Sequence, residues 1–122
     1  MFEVSVRQYF DAAHYLRDYQ GKCEELHGHR FEVVTSLKCD KLNEIGLAYD
    51  FTELKRHLNE ILDNYDHTCI NEVEPFDKLN ASSENIAITI YDQLKQKLGE
   101  FATALTGVQV WESPTSCVTY TP

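Results

Sequence analysis

The residues whose types and spacing could do chemistry are concentrated in Cys23-Glu24-Glu25-Leu26-His27-Gly28-His29, with His14 upstream. Strand side chains alternate with a period of two, so His27 and His29 share one face of an extended segment. Neutral imidazole is the commonest metal ligand. Three imidazoles around zinc leave a fourth position for water or substrate, the arrangement of a catalytic rather than a structural site. Gly28 lets a further group approach between the two ligands. Cys23 has three open readings: a fourth ligand, an inert thiol, or a reactive thiolate favoured by Lys22 and opposed by Glu24 and Glu25. Asp66-His67 sets a carboxylate beside an imidazole, a pair able to pass protons near neutral pH. Glu112 is the group type that accepts two parallel N–H donors from a planar, guanidine-like ring edge. Taken singly, Asp66, His67 and Glu112 are also ordinary loop and strand-end side chains, so the elements that carry them must decide.

Phe2, Val4 and Val6 alternate with Glu3, Ser5 and Arg7, which predicts a half-buried strand running to about Ala13 and delivering His14 at its end. Arg17 to Leu26, with Gly21 and mixed charge, reads as a loop holding Cys23. His27 to Cys39 is rich in β-formers (Phe31, Val33, Val34, Thr35, Leu37), and antiparallel pairing with the first strand brings His14 beside His27 and His29. After a turn-rich stretch, Asp50 and Glu53 give a capping-box-like helix start. Leu54, Leu58, Ile61, Leu62 and Tyr65 then form one apolar stripe ending near Asn64. His57 on that helix reads as an ordinary, partly exposed side chain. Residues 66–81 read as a connection. Ser82 or Ser83 caps a second helix over about Glu84 to Leu98, with Ala87, Ile90, Tyr91, Leu94 and Leu98 as its stripe and Gly99 as its stop. Gly107 to Glu112 and Ser116 to Thr121, joined through Pro114, read as a hairpin. The order ββααββ predicts an α+β fold, a four-stranded antiparallel sheet with two helices on one face.

At 122 residues the chain is expected to be one domain, 1–122. No apolar run approaches the roughly 18 residues of a membrane span, and no basic-then-apolar leader is visible, so the expected location is cytoplasmic. Cys23, Cys39, Cys69 and Cys117 contain no CxxC pair and read as reduced thiols. A formal charge of -9 argues against general nucleic-acid binding, which needs a basic surface, and means an anionic small substrate must find a local basic pocket.

With these elements in order, the sequence resembles the 6-pyruvoyl-tetrahydropterin synthase / 6-carboxy-tetrahydropterin synthase family over nearly its whole length. The carrying stretches are Phe10-Asp11-Ala12-Ala13-His14, Cys23 to His29, Asp50-Phe51-Thr52-Glu53-Leu54-Lys55, Asp66-His67 with Ile70-Asn71, Ser82-Ser83-Glu84-Asn85, and Trp111-Glu112-Ser113. The resemblance implies the tunnelling fold, assembled as a trimer or a dimer of trimers with active sites between subunits. It implies Zn2+ on His14, His27 and His29, and a pterin triphosphate, 7,8-dihydroneopterin triphosphate, as the small-molecule substrate. Cys23 matches the proton-abstracting cysteine, Asp66 and His67 the remaining relay pair, and Glu112 the glutamate that anchors the pterin ring. The three-residue gap between Cys23 and His27 resembles the carboxy-forming branch of queuosine biosynthesis. The pyruvoyl-forming branch usually has a longer gap, and a folate-pathway branch uses a glutamate near the cysteine position, for which Glu24 and Glu25 are candidates. Lys22, Arg17 and Arg30 are candidates for neutralising the triphosphate. The non-enzymatic alternative is a zinc- or pterin-binding module.

Overall fold

Two long strands lay down the frame. In the computed structural model, which describes residues 1–21 and 24–122, β1 (Phe2–His14) and β2 (His27–Cys39) pair antiparallel from Phe2↔Cys39 to His14↔His27. The helix α1 (Phe51–Leu62) begins where the Asp50 carboxylate accepts the Thr52 backbone N–H. The Glu53 carboxylate turns to Arg56 instead of completing a capping box. A short strand β3 (Thr68–Cys69) and a 3-10 turn (Ile70–Glu72) follow. The helix α2 (Ser83–Lys97) starts at Ser82, whose hydroxyl accepts the Asn85 N–H. A second 3-10 turn (Gly99–Ala104) leads to β4 (Leu105–Ser113) and β5 (Ser116–Tyr120).

The sheet order is β3-β1-β2-β4-β5. It therefore has five strands where the sequence pattern predicts four. The extra strand is only two residues long, paired parallel to β1 at Ala12↔Thr68 and Ala13↔Cys69. Two residues are too few for alternation to register, which is why residues 66–81 read as connection alone.

Alternation decides the two faces. Val4, Val6, Phe10, Ala12 and His14 of β1, Phe31, Val33 and Leu37 of β2, and Val108 and Val110 of β4 point inward, against Leu54, Leu58, Ile61 and Leu62 of α1 and Ile86, Ala87, Ile90 and Leu94 of α2. Both helices thus cover one face, as expected. The other face carries polar pairs: Ser5 with Ser36, Arg7 with Glu32, and Arg30 with Asp11. A large apolar inner face fixes the β1–β2 register, because a slip by one residue would send every core side chain to the polar side. That same register aligns the histidines.

Candidate metal centre

His14 ends β1 and His27 begins β2, directly opposite one another, with His29 opposite Ala12. All three rings lie on the inner face, at the open end of the sheet, with centroids 4.5 Å (His14–His27), 4.7 Å (His27–His29) and 5.6 Å (His14–His29) apart. Phe31, fully buried, sets its ring edge-on to His14 at 5.2 Å and to His29 at 5.7 Å, walling the cluster from the core. On β4, Val108, Val110 and Glu112 share the inner face, so the position after the last apolar residue delivers a carboxylate to the histidines. Its Oε1 lies 3.0 Å from His14 Nε2, 3.2 Å from His29 Nε2 and 3.7 Å from His27 Nε2.

The hydrogen bonds on the far side of the rings say what this cluster can hold. His14 Nδ1 donates to the Ala81 carbonyl at 2.7 Å, and His27 Nδ1 to the Glu25 carbonyl at 2.7 Å. A carbonyl oxygen only accepts, so in both rings the Nδ1 carries the proton and the neutral ring presents a bare Nε2. Burial pushes the His29 imidazole below its ordinary pKa, against the upward pull of Glu112, which favours the neutral ligand form there too. In their neutral forms His14 and His27 therefore turn Nε2 lone pairs toward the Glu112 carboxylate, with no ring proton between. A second proton on every ring would crowd like charges into a space where all four ligand atoms lie within 4.8 Å of one another, whereas one shared cation satisfies them all. The donor set of three imidazoles and a carboxylate suits zinc, and ring orientation by backbone carbonyls is the usual outer support of such a site.

The remaining predicted residues divide. Lys22 and Cys23 lie outside the described residues. Asp66 and His67 do not join the cluster: no hydrogen bond or ion pair links them to it among the described residues. The pair instead sits at the sheet edge beside Asp11, three residues before His14 and on the opposite face of β1. Asp66 Oδ1 accepts the Asp11 N–H at 2.9 Å, His67 N–H donates to the Asp11 carbonyl at 2.6 Å, and Asp66 Oδ2 meets His67 Nδ1 at 3.0 Å. The Asp11 N–H, and behind it His67, hold the Asp66 carboxyl below the ordinary aspartate pKa. His67 adopts a left-handed φ of 58°, and its side chain is 80% exposed. Arg17 and Arg30 are both engaged elsewhere. The Arg17 guanidinium donates to the carbonyls of Phe76, Leu79 and Asn71, and Arg30 grips both oxygens of Asp11 while lying over the Tyr9 ring. His57 is half-buried on α1, 3.7 Å from Glu53.

Sequence reasoning missed the groups that fix the end of β1. Buried Asn71 accepts the Tyr15 N–H and donates to the Tyr15 carbonyl, both at 3.0 Å, and Asn80 does the same for Arg17 at 3.0 and 3.3 Å. Two amide side chains thus act as a substitute strand just beyond His14. The only sequence signal was Ile70-Asn71 as part of a motif. Ser83, buried at the first turn of α2, places its Oγ 3.4 Å from Glu112 Oε2. Two small cavities meet at Glu112: one of about 130 Å³ bounded by His14, Ser82, Ser83 and Cys117, and one of about 320 Å³ bounded by His29, Arg30, Trp111 and Pro114. A larger cavity of about 840 Å³ lies at the far end of β2, around Lys38, Tyr49 and Phe101, away from this chemistry.

Comparison with known proteins gives a consistent picture. The family described as "6-pyruvoyl tetrahydropterin synthase" matches residues 3–122. A Bacillus subtilis protein named 6-carboxy-5,6,7,8-tetrahydropterin synthase is 34% identical over 128 residues, covering 99% of this chain and 86% of the relative. A Dictyostelium discoideum protein named 6-pyruvoyl tetrahydrobiopterin synthase is also 34% identical, over 102 residues, covering 82% of this chain and 73% of the relative. Among solved structures, the Caenorhabditis elegans 6-pyruvoyl tetrahydropterin synthase superposes with a TM-score of 0.89 at 28% identity, covering 99% of this chain and 95% of that one.

Proposed function

The chain belongs to the 6-pyruvoyl tetrahydropterin synthase family, and from that premise we propose that it is a zinc-dependent carbon–oxygen lyase. In this reading it converts 7,8-dihydroneopterin triphosphate and water to 6-carboxy-5,6,7,8-tetrahydropterin, acetaldehyde and triphosphate, in queuosine and related deazapurine biosynthesis. The observation that carries the reading is the convergence of three histidine Nε2 atoms, two of them left bare by Nδ1 hydrogen bonds to backbone carbonyls. Percentage identity does not separate the product branches, because the Bacillus and Dictyostelium relatives are both 34% identical, over 128 and 102 residues, and differently named. The short Cys23–His27 spacing supports the carboxy branch.

His14, His27 and His29 would hold the zinc, which when bound stabilises the negative charge that develops beside a substrate oxygen as a carbon-bound proton departs. Cys23, as thiolate, takes that proton. Asp66, kept ionised, accepts the His67 Nδ1–H and so leaves Nε2 bare to receive and return a proton. Glu112 offers a carboxylate to the amino and ring N–H donors of the pterin.

Because no hydrogen bond or ion pair joins Asp66-His67 to the cluster of its own chain among the described residues, the pair serves the site of a neighbouring subunit in a homo-oligomer, a trimer or a dimer of trimers. Two observations support assembly. Among the described residues, β5 and most of β1 leave one edge unpaired, an arrangement natural sheets seldom leave open. The two cavities at Glu112, about 130 and 320 Å³, are also small for a pterin triphosphate without further walls. With Arg17 and Arg30 engaged, Lys22 and side chains of a neighbouring subunit remain to meet the triphosphate.

Cys23→Ala tests the assignment. Zinc content and pterin binding should stay near wild type while turnover is lost. Unchanged product formation by that variant removes Cys23 as the base.

A further inference from the structure

The resemblance gives Glu112 one task, holding the pterin ring, yet its position fits a second. Four ligand atoms around a tetrahedral zinc, with bonds of about 2.0–2.1 Å, stand about 3.3 Å apart. Glu112 Oε1 lies 3.0, 3.2 and 3.7 Å from the three Nε2 atoms, values that straddle that edge length. The contact with His14 cannot be an ordinary hydrogen bond of the neutral ring, since the single ring proton sits on Nδ1 and is given to Ala81. With the ring neutral, Nε2 and Oε1 are two acceptors 3.0 Å apart, an arrangement that one shared cation satisfies.

The second oxygen points elsewhere. Oε2 lies toward Ser83 Oγ at 3.4 Å, on the side of the 130 Å³ cavity, and the side chain also borders the 320 Å³ cavity. Anchoring a ring edge through two parallel N–H donors requires both oxygens of the carboxylate. With Oε1 on a metal only one is available, so the two tasks exclude each other at any instant.

We propose that Glu112 is an exchangeable fourth metal ligand, which closes the three-histidine site in the resting enzyme and leaves it to hold the ring when substrate hydroxyls take its place. This rests on the metal reading above and deepens it. The site is closed against adventitious ligands until the ring edge and the side-chain hydroxyls arrive together. Metal binding and recognition of the ring alone therefore oppose one another, and by linkage the opposition is reciprocal.

The test needs no turnover. Cobalt(II) reports its coordination through its visible absorption bands, so wild type and Glu112→Gln are loaded with cobalt and compared by spectrum and by competition titration. The expected result is an altered spectrum and a cobalt affinity lower by about 10-fold or more, the size of loss that weakened ligation brings. Separately, unsubstituted pterin, which has the ring but no side-chain hydroxyls, is titrated into metal-free and metal-loaded wild type. It should bind more weakly to the loaded protein, whereas neopterin, which carries the hydroxyls, should not. A Glu112→Gln protein with an unchanged cobalt spectrum and affinity overturns the ligand role. Equal pterin affinity with and without metal overturns the exchange. Either result leaves the three-histidine site and the proposed reaction standing, whereas a wild type that takes up no cobalt overturns both.

Discussion

Asn71→Ala should damage the metal site from outside it. Asn71 is 4% exposed and makes two hydrogen bonds to the backbone of Tyr15, the residue following His14. Removing the amide leaves a part-buried N–H and carbonyl without partners. At about 1–1.5 kcal/mol for each, the loss is about 2–3 kcal/mol, against a total of about 5–15 kcal/mol for a typical domain. For a chain of this length each kcal/mol moves Tm by about 4 °C, so a drop of about 8–12 °C is expected. The freed chain end also loosens His14, and zinc affinity should fall in the same variant. The assay is thermal unfolding by circular dichroism on metal-stripped protein, paired with a zinc competition titration. Asn71→Asp keeps the acceptor for the Tyr15 N–H and loses the donor, so its loss should be intermediate. An alanine variant within about 0.5 kcal/mol of wild type, with unchanged zinc affinity, would refute the claim that this clamp holds the end of β1.

Other outcomes follow from the same contacts. Asp66→Asn should lower kcat by about 10²–10³-fold with little change in zinc content, because the amide cannot hold the His67 tautomer as a carboxylate does. Steady-state kinetics with metal analysis checks this. Asp66 itself is held below the ordinary aspartate pKa, so what it contributes to the native state is complete above about pH 4 and lost only as pH falls through its lower folded value. Its carboxyl carbon, followed by NMR, should titrate below that of a free aspartate. Gly107→Ala should destabilise the β4–β5 pairing, since an added Cβ would lie 2.7 Å from the Tyr120 carbonyl oxygen. Denaturant unfolding should show a lower midpoint, and a variant as stable as wild type would contradict the register described.

Much of the frame is legible in the chain because its signals are long. The alternation from Phe2 and from His27 predicts both major strands, and the stripe from Leu54 to Leu62 predicts α1. Pairing those strands antiparallel is enough to bring three histidines together, since His14 closes one and His27 opens the next. Glu112 was legible as a strand-end carboxylate, but its reach to the histidines depends on how β4 lies against β2, which no local pattern encodes. The two-residue β3 and the Asn71 and Asn80 clamps escaped for a related reason: they are contacts between segments 56 to 63 residues apart, made by single side chains or by two residue pairs. Two of the cationic candidates show the same limit. Arg17 and Arg30 look free in sequence, and only tertiary packing reveals the carbonyls and the carboxylate that occupy them.

The central claim is that three histidines and a cysteine separated from the second of them by three residues make a carboxy-forming lyase. The direct measurement is to incubate the zinc-loaded protein with 7,8-dihydroneopterin triphosphate and identify products by mass spectrometry. The prediction is 6-carboxy-5,6,7,8-tetrahydropterin together with acetaldehyde and triphosphate, abolished by chelation and restored by zinc. A pyruvoyl or hydroxymethyl product would contradict the branch assignment, and an unconsumed substrate would contradict the enzyme itself.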